Sequence, residues 1–164
     1  MTWWSEKSRQ AVRHATGSVT KRERLELQDW LSPDQSVLFD TMHPADQRHG
    51  LDVVAHLRAD GHEDDIELLL AGLLHDCSKG PDTGLLHRVA WSLGERYGEG
   101  VIGVSARLPG FAAAFERLRD HAEDSAVLAR AAGCSERTTE LIRYQSEPRD
   151  ADAGAALQRA DEAA

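Results

Sequence analysis

The chain has few cysteines and no long apolar run, and each shortage excludes a class of protein. Its two cysteines, Cys77 and Cys134, are too few for a disulfide scaffold, and they lack the C-x-x-C spacing of a structural zinc site. The longest apolar run covers only residues 68–74, whereas a membrane-spanning helix needs about 20 residues. We therefore predict no transmembrane helix, and we expect stability to come from packing.

Positive charge is also scarce. The chain has 19 basic and 28 acidic residues, a formal net charge of −9. Its long-range field repels polyanions, which argues against a nucleic-acid polymer as partner. The first residues contain neither the apolar stretch nor the small-residue cleavage site of a secretory signal, so we expect a cytoplasmic protein.

The length of 164 residues fits one ordinary domain. We expect residues 43–164 to form its body and residues 1–42 to form an N-terminal helical extension that packs on this core. The start of the extension is basic. A helix that packs Trp3 or Trp4 on the bundle is favoured there over a segment that docks on a membrane surface or a partner.

Signals for helix starts and stops run through nearly the whole chain. Thr20-x-x-Glu23 and Ser32-x-x-Gln35 have the form of capping boxes, and Gly61 is placed as a helix stop. No alternating strand pattern is present, so we predict an all-α, compact helical bundle. The predicted helices follow Thr20 and Ser32 and then cover about 45–60, 64–79, 85–97, 111–118, 121–132, 135–142 and 152–164, with a loop over 97–110.

The helical spacing of apolar residues predicts which side chains face the core. In the first three helices these are Leu25, Leu27, Trp30 and Leu31, then Val37, Leu38 and Phe39, and then Val53, Val54 and Leu57. The segment with Ile66, Leu69, Leu70, Leu73 and Leu74 is the best candidate for a central buried helix.

The His75-Asp76 pair ends that apolar helix, where burial of both groups without partners would cost several kcal/mol. A divalent cation would neutralise the pair, and a His/Asp set without Cys suits Mn²⁺, Fe²⁺, Co²⁺, Ni²⁺ or Zn²⁺. Adjacent helical residues point about 100° apart, so the remaining ligands must come from other helices. His49 and Asp161 are the candidates.

Three segments carry a resemblance to a known family: QRHGLDV at 47–53, AGLLHDCSKG at 71–80 and LQRAD at 157–161. In this order they resemble the HD-domain metal-dependent phosphohydrolases, and the resemblance covers residues 43–164. It implies a helical bundle in which His49, His75, Asp76 and Asp161 hold one divalent metal ion. It also implies hydrolysis of a small phosphorylated metabolite, in the first instance a nucleotide, by a metal-activated water.

The resemblance suggests further roles around the metal. Asp76, His121 and Lys79 are the predicted catalytic residues, with His121 as an acid/base or substrate-binding group. Lys79 also fits a second role, in which it offsets the charge of a phosphate, or a third, in which it complements a helix dipole. Some relatives hold a second metal, but Gln145 stands where another His is expected. We therefore expect one metal, with a second near His121 as the alternative.

Arg48, His87 and Arg88 complete the predicted site as contacts to the substrate phosphate, together with Lys79. For Arg48 an ion pair with Asp46 or Asp52 is the alternative. Two other functions stay open. One is a non-catalytic module that binds a metal or a regulatory ligand, favoured if Asp161, near the end of the sequence, is not held in place. The other is a di-iron oxygenase of the same type, which Gln145 disfavours.

Overall fold

The computed structural model describes residues 18–80 and 83–164, and all regular secondary structure within them is helical. The prediction of an all-α bundle is confirmed. In chain order the helices are α1 Lys21–Gln28, α2 Pro33–Thr41, α3 Pro44–Ala59, α4 Ile66–Leu74, α5 Leu85–Tyr97, α6 Glu99–Ser105, α7 Phe111–Ala131, α8 Glu136–Arg143 and α9 Ala153–Ala163.

Local capping explains where the first helices begin and end. Both predicted capping boxes form: Thr20 and Glu23 exchange hydrogen bonds at the start of α1, as Ser32 and Gln35 do at the start of α2. Gly61 has a φ of +90°, the left-handed conformation that ends α3 at low steric cost. These elements were therefore predictable from local chemistry.

The core is built around α4, as the sequence predicts. Leu68, Leu69, Leu73 and Leu74 of this helix have no exposed surface. Helices α3, α8 and α9 pack against α4, while α7 packs against α8 and α5. The N-terminal segments reach the same core through Phe39 and other buried residues.

Six details of the helix predictions are wrong. The helix predicted over 64–79 ends at Leu74, and its Ile66 is 44% exposed. Residues 111–131 form one helix rather than two, because they contain no glycine or proline that would break it. The predicted loop over 97–110 contains α6, which lies between positive-φ glycines at 98 and 110. Leu25 and Val37, expected in the core, are 63% and 64% exposed because α1 and α2 bury only their opposite faces.

The predicted helix around Trp3 and Trp4 lies outside the described residues. The division into an extension and a main domain stays a prediction.

Helices α3 and α4 cross at two glycines, and this crossing positions the site. A Cβ on Gly50 would lie 2.5 Å from the backbone oxygen of Leu73. A Cβ on Gly72 would lie 2.9 Å from Leu57 Cδ1 and 3.0 Å from Val53 Cγ1. Only glycine lets the two backbones approach this closely without rearrangement. His49 directly precedes Gly50, so the crossing brings His49 to the end of α4.

Candidate metal centre

The structure brings the four predicted metal ligands together from three parts of the fold. His49 lies in α3, His75 caps the C-terminus of α4 and Asp76 follows it, and Asp161 lies near the end of α9. Asp161 Oδ1 lies 2.7 Å from His49 Nε2 and 3.4 Å from His75 Nε2. One ligand atom each of His49, His75 and Asp76 lies within 4.8 Å of the others. This cluster can hold a metal ion.

Two buried polar atoms in the cluster have no hydrogen-bond partner among the described residues. His75 Nδ1 donates to the carbonyl oxygen of Gly72 at 2.9 Å, so its Nε2 is the atom that faces the cluster. His75 Nε2 and Asp76 Oδ1 are both buried and unpartnered. Each such atom costs about 1–3 kcal/mol when it is buried without a partner. A cation between them satisfies both, so the donor set fits a divalent metal ion.

The electrostatics of the cluster favour bound positive charge. Although burial opposes ionisation, the neighbouring His75 and Lys79 hold the pKa of Asp76 well below its usual range. The pKa of Asp161 is also lowered, because its hydrogen bond to His49 and the neighbouring charge of His75 outweigh its burial. Burial opposes protonation of His75, yet the two carboxylates raise its pKa to about 9. A divalent ion bound here would take the place of a proton at His75 Nε2.

Lys79 neutralises one oxygen of Asp76 and leaves the other free. Its Nζ lies 2.5 Å from Asp76 Oδ2, and its side chain is 17% exposed. Asp76 Oδ1, the unpartnered atom, points elsewhere. The lysine therefore contacts a predicted metal ligand and still has surface open to solvent, where a bound anion can reach it.

His121 of α7 faces the same aspartate. Its Nδ1 donates to the carbonyl oxygen of Leu118 at 2.7 Å, which leaves the Nε2 lone pair 3.7 Å from Asp76 Oδ1. Burial, together with the charge of Lys79, lowers the pKa of His121. A neutral imidazole with a free Nε2 can accept a proton or bind a cation, as the sequence analysis proposed.

Gln145, which replaces the His expected for a second metal, is bonded to the backbone of the site. Its side chain is buried, and its Nε2 donates to the carbonyl oxygen of His75 at 3.3 Å. The amide thus supports the position of His75 rather than offering a strong ligand atom.

The predicted phosphate contacts Arg48 and Arg88 already have carboxylate partners. Arg48 binds Glu23 of α1 at 2.6 Å and Asp52 at 2.9 Å, so its alternative role in an ion pair is the one that the structure shows. Arg88 makes a bidentate pair with the buried Asp46 at 2.7 and 2.6 Å. Their roles as phosphate contacts stay predictions. In each case the guanidinium would have to bind the phosphate while it also binds its present carboxylate partner.

His87 of α5 packs against an aromatic ring. Its ring centroid lies 4.5 Å from that of Phe111, and its Nδ1 is buried without a hydrogen-bond partner in the described part of the chain. The structure shows no contact between His87 and the four predicted ligands. Its predicted contact to phosphate therefore stays a prediction.

Sequence reasoning missed two residues that lie one turn to either side of His121 on α7, Arg117 and Ser125. The fully buried Ser125 Oγ accepts from Ser78 N at 3.1 Å and donates to Ser78 Oγ at 3.0 Å. Ser78 Oγ in turn donates to the carbonyl oxygen of His121 at 2.9 Å. The i±4 spacing would have revealed both residues if 111–131 had been predicted as one helix.

Comparisons with known proteins provide no further identification. No protein-family model, curated protein or solved structure matches the chain. Within residues 18–80 and 83–164, no helix combines the length and the hydropathy needed to cross a bilayer. The function is therefore inferred from the geometry of the site.

Proposed function

We propose that the chain is a metal-dependent phosphohydrolase of the HD type, acting on a small phosphorylated metabolite, with a nucleotide as the first choice. One observation carries the proposal. Two buried and unpartnered atoms, His75 Nε2 and Asp76 Oδ1, cluster with His49, and Asp161 contacts the two histidines of this cluster. Two imidazoles and two carboxylates are ligands that suit Mn²⁺, Fe²⁺, Co²⁺, Ni²⁺ or Zn²⁺.

The residues around this point have the properties that phosphate-ester hydrolysis needs. A divalent ion held there would lower the pKa of a bound water and polarise a phosphoryl oxygen. His121 Nε2 is placed to accept or return a proton, because Leu118 fixes the proton of the other ring nitrogen. Lys79 supplies positive charge beside Asp76. Gln145 and Gly72 hold His75 in place through hydrogen bonds.

A non-catalytic module that binds a metal or ligand is the second candidate, and one observation favours it. Lys79 already neutralises Asp76 without any ion, as a purely structural ion pair would. A di-iron oxygenase is a weaker candidate, because it needs a second metal and Gln145 is directed at a backbone carbonyl.

The test is to count metal ions in protein purified without an affinity tag that binds metal. The HD proposal predicts close to one transition-metal ion per chain, and its loss in Asp76→Asn, which keeps the size of the side chain. Asp124→Asn is the matched control: it removes the same charge from an exposed position on α7. If the chain binds no added Mn²⁺, Co²⁺ or Ni²⁺, the proposal is wrong.

Turnover separates the candidate functions. The metal-loaded protein is assayed for phosphate release from p-nitrophenyl phosphate and from nucleoside monophosphates. Release that needs Asp76 supports the hydrolase. One bound metal without any release supports the non-catalytic module, and two irons per chain support the oxygenase.

A further inference from the structure

The cations near the candidate metal centre differ in what they bind. Arg48 and Arg88 are held by carboxylates, and Lys79 is held by Asp76. Arg117 is different: its Nε donates to the hydroxyl of Thr83, a neutral and fully buried partner, at 3.2 Å. Among the described side chains of residues 18–80 and 83–164, no carboxylate pairs with Arg117, and its described partner is a neutral hydroxyl.

Helical spacing and the surroundings of Gly80 place Arg117 beside the centre. It lies one helical turn before His121 on α7, and residues at this spacing share one helix face. Its Cδ and Nε lie 3.8 and 3.9 Å from the point where a Cβ on Gly80 would stand. Gly80 directly follows Lys79, so Arg117 borders the turn that carries both Asp76 and Lys79.

We propose that Arg117 binds the phosphate group of the substrate, and that Lys79 and Arg117 together select a phosphate monoester in its dianionic form. This inference rests on the proposed function and specifies its substrate class. A divalent ion held by the centre would balance the charges of Asp76 and Asp161, and the charges of Lys79 and Arg117 would then remain beside it. A monoester carries nearly two negative charges near neutral pH, whereas a diester carries one. The anchored guanidinium also retains N–H groups that match phosphate oxygens.

The neighbouring Arg119 provides a matched control. It lies on the same helix two residues further on, its side chain is 63% exposed, and it pairs with Asp120. Arg119→Gln removes the same charge from α7 without altering the face that carries His121. A general effect of net charge would therefore appear in both variants, and an effect of site geometry would appear only at Arg117.

The experiment measures binding of inorganic phosphate to Mn²⁺-loaded protein by calorimetry at about pH 8, after free metal is removed. We expect Arg117→Gln to weaken phosphate binding about 10- to 100-fold, the loss typical of one charge-assisted contact. Gln can still donate to Thr83, so the fold is kept, and thermal melts check this. Arg117→Lys should recover part of the affinity, and Arg119→Gln should match the wild type.

A second probe, dimethyl phosphate, tests the charge class. The wild type should bind inorganic phosphate more tightly than this monoanion, and Arg117→Gln should reduce the preference. Phosphate affinity unchanged in Arg117→Gln, equal losses in both glutamine variants, or no phosphate binding by the metal-loaded wild type would each overturn the inference. Because metal content is measured first, failure to bind metal is recognised separately as failure of the proposed function.

Discussion

At the scale of single residues, two histidines of the centre are oriented by the same type of hydrogen bond. His75 and His121 each donate Nδ1–H to the carbonyl oxygen three residues earlier, at 2.9 and 2.7 Å. This bond fixes the tautomer and presents the Nε2 lone pair on the far side of the ring. In both residues Nε2 lies beside Asp76, at 3.6 and 3.7 Å from its oxygens, so the backbone orients both rings toward the site.

His49 completes the cluster, and its substitution should show whether it binds the metal directly or only supports another ligand. Loss of a residue that merely supports a ligand weakens metal binding about 10- to 100-fold. We therefore expect His49→Ala to weaken Mn²⁺ binding by at least about 100-fold, measured by calorimetry. His56→Ala, seven residues further along α3, should leave the affinity unchanged. Equal effects of the two variants would contradict the assignment of His49 as a ligand.

Ser125 should affect stability more than its size suggests. Ser125→Ala removes the acceptor of the Ser78 backbone N–H and one partner of the Ser78 hydroxyl. A buried donor left without a partner costs about 1–3 kcal/mol, so urea unfolding should show a loss of that size. Ser146→Ala, at an exposed position, should change stability by less than about 0.5 kcal/mol. A loss for Ser125→Ala within that smaller range would show that the network contributes nothing.

At the scale of helices, the site depends on the close crossing of α3 and α4. In Gly50→Ala the new methyl group meets the backbone oxygen of Leu73 at 2.5 Å, and backbone atoms cannot rotate away. The helices must separate, at a cost of about 1–3 kcal/mol. Because His49 is carried on α3, metal affinity should fall together with stability. Both are measurable, by urea unfolding and by Mn²⁺ titration.

Gly103 of α6 is the control for this substitution. A Cβ at this position would meet no atom within 4 Å. Ala favours helix over Gly by up to about 1 kcal/mol, so Gly103→Ala should be neutral or stabilising. If Gly50→Ala behaved in the same way, close approach would not be what holds the two histidines together.

The ion pair that joins α1 to α3 gives a pH-dependent prediction. Burial opposes ionisation of Glu23, but hydrogen bonds from Arg48 and Thr20 lower its pKa from 4.5 to about 2. A lowered pKa contributes stability to the folded state at any pH above the ordinary pKa of the carboxyl. For Glu23 this contribution is lost as the pH falls from 4.5 towards 2. Solvent screening limits it to about 1 kcal/mol.

Glu23→Gln tests this prediction while it preserves the capping box. The wild type should exceed the variant in unfolding free energy by about 1 kcal/mol near pH 6, and the difference should shrink as pH is lowered below 4.5. A difference that is constant with pH would mean that the charge of Glu23 does not contribute.

At the scale of the whole molecule, the features that the sequence predicts correctly are those determined by neighbouring residues in the chain. The caps at Thr20 and Ser32 and the buried helix α4 follow from side-chain types and apolar spacing, and the structure confirms them. The continuity of α7 across His121 was not predicted, because the segment was divided into separate helices over 111–118 and 121–132. That error hid the positions of Arg117 and Ser125 relative to the site.

The candidate site was predictable only in part, for a similar reason. Histidine and aspartate ligands can be named from residue type, and all four lie together in the fold. The partners of cations depend on distant parts of the chain. Asp46 and Arg88 are 42 positions apart, so no local pattern predicts that this pair forms. The unpartnered atoms of His75 and Asp76 are likewise visible only in three dimensions.

Metal binding should stabilise the whole molecule, because the ligands come together only in the folded chain. His49 and Asp161 are 112 positions apart in sequence yet 2.7 Å apart in the structure. An ion that binds only the folded state at a hundredfold excess over its Kd adds about 2.7 kcal/mol. For a chain of this size this raises Tm by about 5 to 10 °C, measurable by circular dichroism with and without Mn²⁺.

Asp161→Asn should lose most of this shift, because it removes the ligand contributed by α9. Glu162→Gln, which changes the adjacent exposed residue and removes the same charge, should retain it. Equal shifts in the two variants would show that α9 does not contribute a ligand, and no shift in the wild type would contradict the metal centre itself.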